Sequence, residues 1–473
     1  MGIGASVAEC SRLRRRLTAA VFLLSVMAGG APATASSDGI VSLPQDHIAT
    51  PDDHRISGVV VLISDANGWD MVEQAALEAV VAGGAIGVGV DLRTWRAALA
   101  RETARECLFL PADIERLTRQ LHRSHQADFY RPPRIIGFGE GGALALAIAA
   151  QTPNRSFAET IGETVAVDPT QAVMLPKPLC TPAPRQETAD GTVYGLSPGP
   201  LPNPISITFS SLADDTSRHH AQSLQTSHPD VVIARGDGDA APILSAEAAE
   251  LVARLAPDDE ALDLPLVEDL VTPTHDTVAI FYSGDGGWRE IDQRISARLN
   301  AKGIPVVGVD ALRYFWSEKT PEATAADLST IIDHYRARLG VRNVVLIGYS
   351  FGANILPRVY NLLPEADRKS VTLLSLLALS RQADFEIAVS GWLGAAGAGK
   401  HGDPVDHLAG VEAAKIQCVY GLDEQDTGCP ALEPRVRDGL ELIARPGGHH
   451  FDENYELVAD RILARVRQAG AVD

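Results

Sequence analysis

Val344-Val345-Leu346-Ile347-Gly348-Tyr349-Ser350-Phe351-Gly352-Ala353-Asn354-Ile355-Leu356 decides the fold. An apolar run enters a Gly-x-Ser-x-Gly string and a helix-compatible run leaves it. Strand, sharp turn and helix is the setting of a nucleophile elbow. There the glycines let the backbone fold back, so that a serine hydroxyl stands at the carboxyl edge of a parallel sheet. Ser350 is the candidate nucleophile. Without that setting, the same string is a glycine-rich turn between a buried strand and a helix.

A serine nucleophile needs a base, and the base needs an orienting carboxylate. In α/β-hydrolases these follow the serine in the order acid, then histidine. Ile416-Gln417-Cys418-Val419-Tyr420 leads into Gly421 and the carboxylates of Asp423, Glu424 and Asp426. Leu440-Glu441-Leu442-Ile443 leads into Pro446-Gly447-Gly448-His449-His450. This order nominates His449, with His450 beside it, as the base. It nominates Asp426 first and Glu424 second as the acid. A metal site on His449, His450 and Asp452 leaves the elbow unexplained, so no metal or other cofactor is assigned.

Acyl transfer also needs backbone N–H donors where negative charge develops. One is expected at the amide of Phe351. The other is expected at Gly284, in the loop Ser283-Gly284-Asp285-Gly286-Gly287-Trp288 after an earlier strand. Asp285 and Trp288 in that loop are candidate substrate contacts. So is Tyr314, in the aromatic stretch between Asp310 and Pro321. Packing anchors are the competing reading of both aromatics.

The chain repeats itself. Val59-Val60-Val61-Leu62-Ile63-Ser64-Asp65-Ala66-Asn67-Gly68-Trp69 parallels Val278 to Trp288, and Gly89-Val90-Asp91 parallels Gly308-Val309-Asp310. Ile135-Ile136-Gly137-Phe138-Gly139-Glu140-Gly141 parallels Leu346 to Gly352. In the first copy Gly139 stands in place of the serine and Asp239 in place of His449, while Asp215 keeps the acid position. A Gly-x-Gly-x-x-Gly reading of residues 137–142 as a dinucleotide site is weaker, because that fingerprint belongs on a first strand–helix turn. Strand and helix signals alternate through both copies. The expected fold is therefore α/β: two tandem α/β-hydrolase-like domains, residues 36–255 and 276–473, joined by an acidic linker at 256–275. Each is a mostly parallel sheet with helices on both faces, and the first is catalytically degenerate. Residues 173–204, rich in proline, read as an irregular excursion.

At 473 residues, 45% hydrophobic and 22% charged, the chain is long enough for two cores. Its formal net charge of −20 argues against nucleic acid as a partner. Arg12, Arg14, Arg15 and Arg16, the apolar run Leu17 to Met27 and Ala33-Thr34-Ala35 read as a cleaved secretory signal over residues 1–35, cut near Ala35. After that cut four cysteines remain, an even set for an oxidising compartment. A disulfide between Cys418 and Cys429 would pin the acid loop, and a second is expected between Cys107 and Cys180.

Taken together, the leader, Gly284-Asp285-Gly286-Gly287-Trp288, the Asp310–Trp316 stretch, Gly348-Tyr349-Ser350-Phe351-Gly352-Ala353, the Tyr420–Pro430 loop and Gly447-Gly448-His449-His450-Phe451-Asp452 resemble the bacterial virulence protein VirJ/AcvB family, in its two-copy form. The resemblance implies a periplasmic α/β-hydrolase that cleaves the aminoacyl ester of lysyl-phosphatidylglycerol at the membrane surface. It also implies links to virulence, acid tolerance and type IV secretion, with secretion-system proteins as partners. Carried over, Ser350 is the nucleophile, Asp426 the acid and His449 or His450 the base. A binding or accessory factor that keeps the hydrolase fold, and a generic periplasmic esterase, are the alternatives.

Overall fold

Apolar runs without polar alternation suit strands of a parallel sheet covered on both faces. The two such runs that open the copies, Val59–Ile63 and Thr277–Tyr282, are strands in which every residue is buried. The computed structural model describes residues 43–52, 56–101, 103, 105–152, 160–255, 262–387 and 399–468. The expected leader, with its cut near Ala35, lies outside them.

The first copy runs β1 (His47–Ala49), β2 (Val59–Ile63), α1 (Met71–Ala82), β3 (Ile86–Val90), α2 (Leu92–Leu99), α3 (Pro111–Ser124), β4 (Arg134–Phe138) and α4 (Glu140–Ala149). It continues through β5 (Glu163–Val167), β6 (Arg185–Thr188), β7 (Gly191–Tyr194), β8 (Ile205–Phe209), α5 (Asp215–Ser227), β9 (Val232–Arg235) and α6 (Ala240–Ala253). The second copy runs β10 (Leu266–Asp269), β11 (Thr277–Tyr282), α7 (Glu290–Asn300), β12 (Val306–Val309), α8 (Ala311–Tyr314), α9 (Pro321–Leu339), β13 (Asn343–Tyr349) and α10 (Phe351–Leu362). It ends with α11 (Glu365–Ser370), β14 (Val371–Leu377), α12 (Pro404–His407), β15 (Ile416–Gly421), β16 (Glu441–Arg445) and α13 (Tyr455–Gln468).

Two seven-stranded sheets result, ordered β1-β3-β2-β4-β5-β8-β9 and β10-β12-β11-β13-β14-β15-β16. All strand pairs in them are parallel except the edges, where β1 on β3 and β10 on β12 are antiparallel. The span 256–275, read from sequence as linker, thus contributes strand β10. The proline-rich excursion contains the β6–β7 hairpin.

Side chains alternate across each sheet and feed two cores. Val278, Ile280 and Tyr282 pack with α9 and α10, while Ala279 and Phe281 pack with α7 and α13. In the first copy Val59, Val61 and Ile63 pack with α3 and α4, and Val60 and Leu62 pack with α1 and α6.

The aromatic stretch after β12 joins the copies. Tyr314, Phe315 and Trp316 are buried. Trp316 packs 5.0 Å from the Tyr130 ring, with the Arg123 guanidinium 4.2 Å over its other face. Phe129 stacks on Tyr314 at 5.8 Å, and Tyr130 N–H donates to Arg313 O at 3.2 Å. Tyr314, expected on a substrate wall, is therefore an interface residue, its hydroxyl donating to Asp327.

Both expected disulfides are present, Cys107–Cys180 and Cys418–Cys429. No helix among the described residues is long and apolar enough to cross a membrane.

Removing the Trp316 ring leaves a void between the copies that neither backbone can fill. Trp316→Ala is expected to lower the unfolding free energy by about 3 kcal/mol, read from guanidinium melts of the full chain.

Candidate active site

The serine stands where β13 gives way to α10. Ser350 has φ 52° and ψ −111°, and its amide donates to Leu377 O at 2.8 Å. A non-glycine residue there costs about 1–3 kcal/mol. The turn closes only because its flanks lack side chains. A Cβ at Gly352 would lie 2.2 Å from Tyr282 O, and one at Gly348 would lie 2.6 Å from the Gly352 carbonyl. Gly139 in the first copy has nearly the same turn, φ 56° and ψ −122°. The elbow therefore survives where the serine does not.

The acid and base loops follow neighbouring strands, β15 and β16, and are joined to each other. Leu422 N–H donates to Arg445 O at 2.8 Å and Asp423 N–H to Gly447 O at 2.9 Å. His449 Nδ1 lies 2.6 Å from Glu424 Oε1. The Glu424 side chain is 12% exposed and that of His449 42%, so a shielded carboxylate holds an accessible imidazole. With Nδ1 on the carboxylate, Nε2 remains to take a proton, the orientation a triad base needs. No hydrogen bond joins Ser350 Oγ to His449 among the described residues. Such contacts are often long without substrate and tighten in the reacting complex.

Asp426, the first choice of acid from sequence, is exposed, and His449 pairs with Glu424. The reason is the short tether. Glu424 sits in the turn bonded to Gly421 O, whereas Asp426 lies further out on the loop. His450 takes a different place, its Nδ1 3.2 Å from Tyr349 Oη and 3.4 Å from Tyr455 Oη. Phe451, fully buried, anchors the histidine turn, and Phe451, Asp452 and Glu453 all have positive φ. Asp452 pairs with Arg445 at 3.2 Å. Among the described residues no group of three or more His, Cys, Asp or Glu is arranged to hold a metal.

The repeat supplies an internal control for the amide donors. In the first copy Glu140 N–H, at the position of Phe351, donates to Asp65 Oδ1 at 2.9 Å. Asp65 N–H, at the position of Gly284, donates to Glu73 Oε1 at 3.2 Å. Both donors are consumed by carboxylates, and a Cβ at Gly139 would lie 2.2 Å from Asp65 Oδ1. In the second copy glycine replaces Asp65, and the shorter Asp292 replaces Glu73. No carboxylate then takes either amide: Gly284 pairs with Gly287 across its own tight turn, and the Phe351 amide has no acceptor among the hydrogen bonds of the described residues. A Cβ placed on Gly284 would be 3.6 Å from Ser350 Cβ, so this loop lies against the nucleophile. These two substitutions are visible in the aligned repeats, but only the packing tells what they do.

Asp292 is fully buried. Its Oδ2 accepts from Arg289 N–H at 2.8 Å and its Oδ1 has no partner. Burial pushes its carboxyl up to about 8. Burial likewise raises the Tyr349 phenol, helped by Asp292, Glu424 and the exposed Asp285 at the mouth of the site. Trp288, expected to touch substrate, is 8% exposed and packs edge-on to Phe281 at 5.4 Å. It fills the space left by Gly308, where a Cβ would lie 2.4 Å from its ring. Phe351 packs its ring 4.9 Å from Phe315, in the stretch that joins the two copies.

Residues 276–470 match the family model described as bacterial virulence protein (VirJ). No curated protein matches the chain. Among solved structures it is similar to Est1E from Butyrivibrio proteoclasticus with bound ferulic acid, at 14% identity and TM-score 0.32, covering 43% of this chain and 96% of that one. It is similar to the esterase Pf2001 from Pyrococcus furiosus, at 13% identity and TM-score 0.32, over 45% and 95% of the two chains. A third is a Pyrobaculum calidifontis esterase, at 14% identity and TM-score 0.31, over 44% and 78%.

Three outcomes follow, the first two read from turnover of a simple p-nitrophenyl ester and the third from denaturation. Glu424→Gln is expected to lower kcat by about a thousandfold or more, with Asp426→Asn within about twofold of wild type. Gly284→Asp is expected to remove turnover while the chain still folds, as the first copy does with Asp65. For Asp292, protonation in the folded state stabilises the protein fully below an unfolded pKa near 4, and that stability is lost as pH rises toward about 8. Asp292→Asn should therefore flatten stability across that window in pH-dependent denaturation.

Proposed function

We propose, from the match of residues 276–470 to the family model described as bacterial virulence protein (VirJ), that this chain is a periplasmic serine ester hydrolase whose substrate is the aminoacyl ester of lysyl-phosphatidylglycerol. The carrying observation is the Phe351 amide without an acceptor and the Gly284 loop free of carboxylate beside Ser350, set against the two corresponding amides capped by carboxylates in the first copy. The lipid rests on the family resemblance, and the compartment on the leader sequence and two disulfides.

In this reading Ser350 Oγ attacks the aminoacyl carbonyl as His449 Nε2 takes its proton. Glu424 holds the resulting imidazolium. The tetrahedral oxyanion lies on the two amides. The carbonyl–oxygen bond to the glycerol breaks, and His449 returns its proton so that phosphatidylglycerol leaves as the alcohol. Water, deprotonated by His449, then releases lysine from the acyl-enzyme. Asp285, exposed at the mouth, is the candidate partner for the lysyl ammonium.

The capped amides of the first copy favour a second role beside hydrolysis. That half serves binding, which is also what an accessory factor for type IV secretion would do.

The test incubates purified residues 36–473, and their Ser350→Ala variant, with lysyl-phosphatidylglycerol in mixed micelles and follows phosphatidylglycerol and free lysine. Release by wild type and its loss in the variant is the expected result. Turnover of a p-nitrophenyl ester without lipid cleavage would keep the serine hydrolase and discard this lipid. Turnover of neither would leave the binding role.

A further inference from the structure

The first copy has no nucleophile, yet a cavity of about 680 Å³ opens at the edge where the second copy carries Ser350. Its walls come from the carboxyl ends of successive strands: Asp65 after β2, Arg96 in α2 after β3, Glu140 after β4, Thr170 after β5 and Asp214 after β8. From β2 the sheet order proceeds to β3 on one side and to β4 on the other. This is the topological switch point at which open α/β sheets bind ligands. Asp190, at the tip of the β6–β7 hairpin, completes the wall from above. The cavity thus sits where the fold places ligands, and the loss of catalysis has not filled it.

Its electrostatics are the reverse of an acyl-transfer site. Where the second copy keeps carboxylates off the amides of Gly284 and Phe351, the first has bonded the corresponding two to carboxylates. Asp65 Oδ1 stands at the position of the oxyanion. Arg96 does not offset this, because its Nη2 is 2.6 Å from Glu140 Oε1, and that same oxygen also accepts from Met174 N–H at 2.5 Å. Arg96 and Glu140 cancel as a fixed floor. Asp214 accepts from the Ser217 amide and hydroxyl at the start of α5, which leaves the carboxylates of Asp65 and Asp190 in the wall for a ligand. An anion entering here meets no open donor at the old oxyanion position, and an ammonium group meets acceptors instead.

We infer that the cavity of the first copy is a binding site for a ligand bearing a primary ammonium group. The group enters between Asp65 and Asp190, and the hydroxyl and amide groups of Thr170 and Gln171 face the rest of the ligand. The rim carries an exposed apolar side chain, Met174 at 51%. The ammonium group is thus compatible with a free amine or with a lipid headgroup presented at a surface. The inference concerns the first copy alone and does not rest on the activity of the second.

The test uses the full chain with Ser350→Ala, so that nothing is turned over. Titration calorimetry with L-lysinamide, a dication without a carboxylate, is expected to show saturable binding that weakens with salt. Asp65→Asn and Asp190→Asn are each expected to weaken it about tenfold. Asp65→Asn keeps an oxygen for Glu140 N–H, and Asp190 lies on an exposed hairpin tip, so both variants should fold. Hexanamide, uncharged, is expected not to bind.

Co-sedimentation with phosphatidylglycerol vesicles, with and without lysyl-phosphatidylglycerol, separates the sources. Lysinamide binding without vesicle capture identifies a free amine. Capture that requires the lysyl lipid and is lost in Asp65→Asn identifies a headgroup. The inference is overturned if neither probe binds, if vesicles lacking the lysyl lipid bind equally well, or if binding persists in both aspartate variants and disappears instead in Asp285→Asn at the second copy.

Discussion

Everything at the candidate site depends on one backbone turn. For β13 to pass into α10 with Ser350 at φ 52°, the chain must run so close to β11 that a Cβ at position 352 would lie 2.2 Å from Tyr282 O, and only glycine permits that approach. The strain lies in the Ser350 backbone, φ 52° and ψ −111°. It persists because the surrounding strands, buried on both faces, cannot relax around it. The elbow, the Gly284 loop and the two loops after β15 and β16 then all emerge at the same sheet edge. The parallel register brings together residues that are far apart in sequence.

The two copies show how few side chains separate a pair of backbone amides capped by carboxylates from the same pair left free of them. Ser64 and Ser283 do the same job in each, accepting from Leu92 N–H and Ala311 N–H across the first loop. Asp91 and Asp310 cap the next helix in each. The scaffold is common. What differs is a carboxylate at Asp65 where the second copy has Gly284, and one methylene between Glu73 and Asp292. Each difference decides whether a backbone amide is bonded to a carboxylate.

Much of this was legible in the sequence, because the signals were local. The elbow, the repeat, the disulfide cysteines and the strand-to-loop position of His449 are patterns of neighbouring residues. The pairing of His449 with Glu424 rather than Asp426 was not legible, since it depends on how the acid loop folds back on Gly447. Trp288 and Tyr314 have the composition of a binding surface. Their burial follows from Gly308 beneath one and Phe129 from the other copy against the second. The antiparallel strand Leu266–Asp269 was hidden in an acidic stretch, where edge pairing needs no apolar alternation.

A chain that holds two sheets of matching order faces a folding hazard. While both are incomplete, a strand of one copy can dock on the template of the other, a characteristic failure of repeated domains. Both disulfides lie within a single copy, Cys107–Cys180 in the first and Cys418–Cys429 in the second. Each therefore rewards only the pairing in which a half closes on itself. The same bridge that tethers the acid loop also marks which half its strand belongs to.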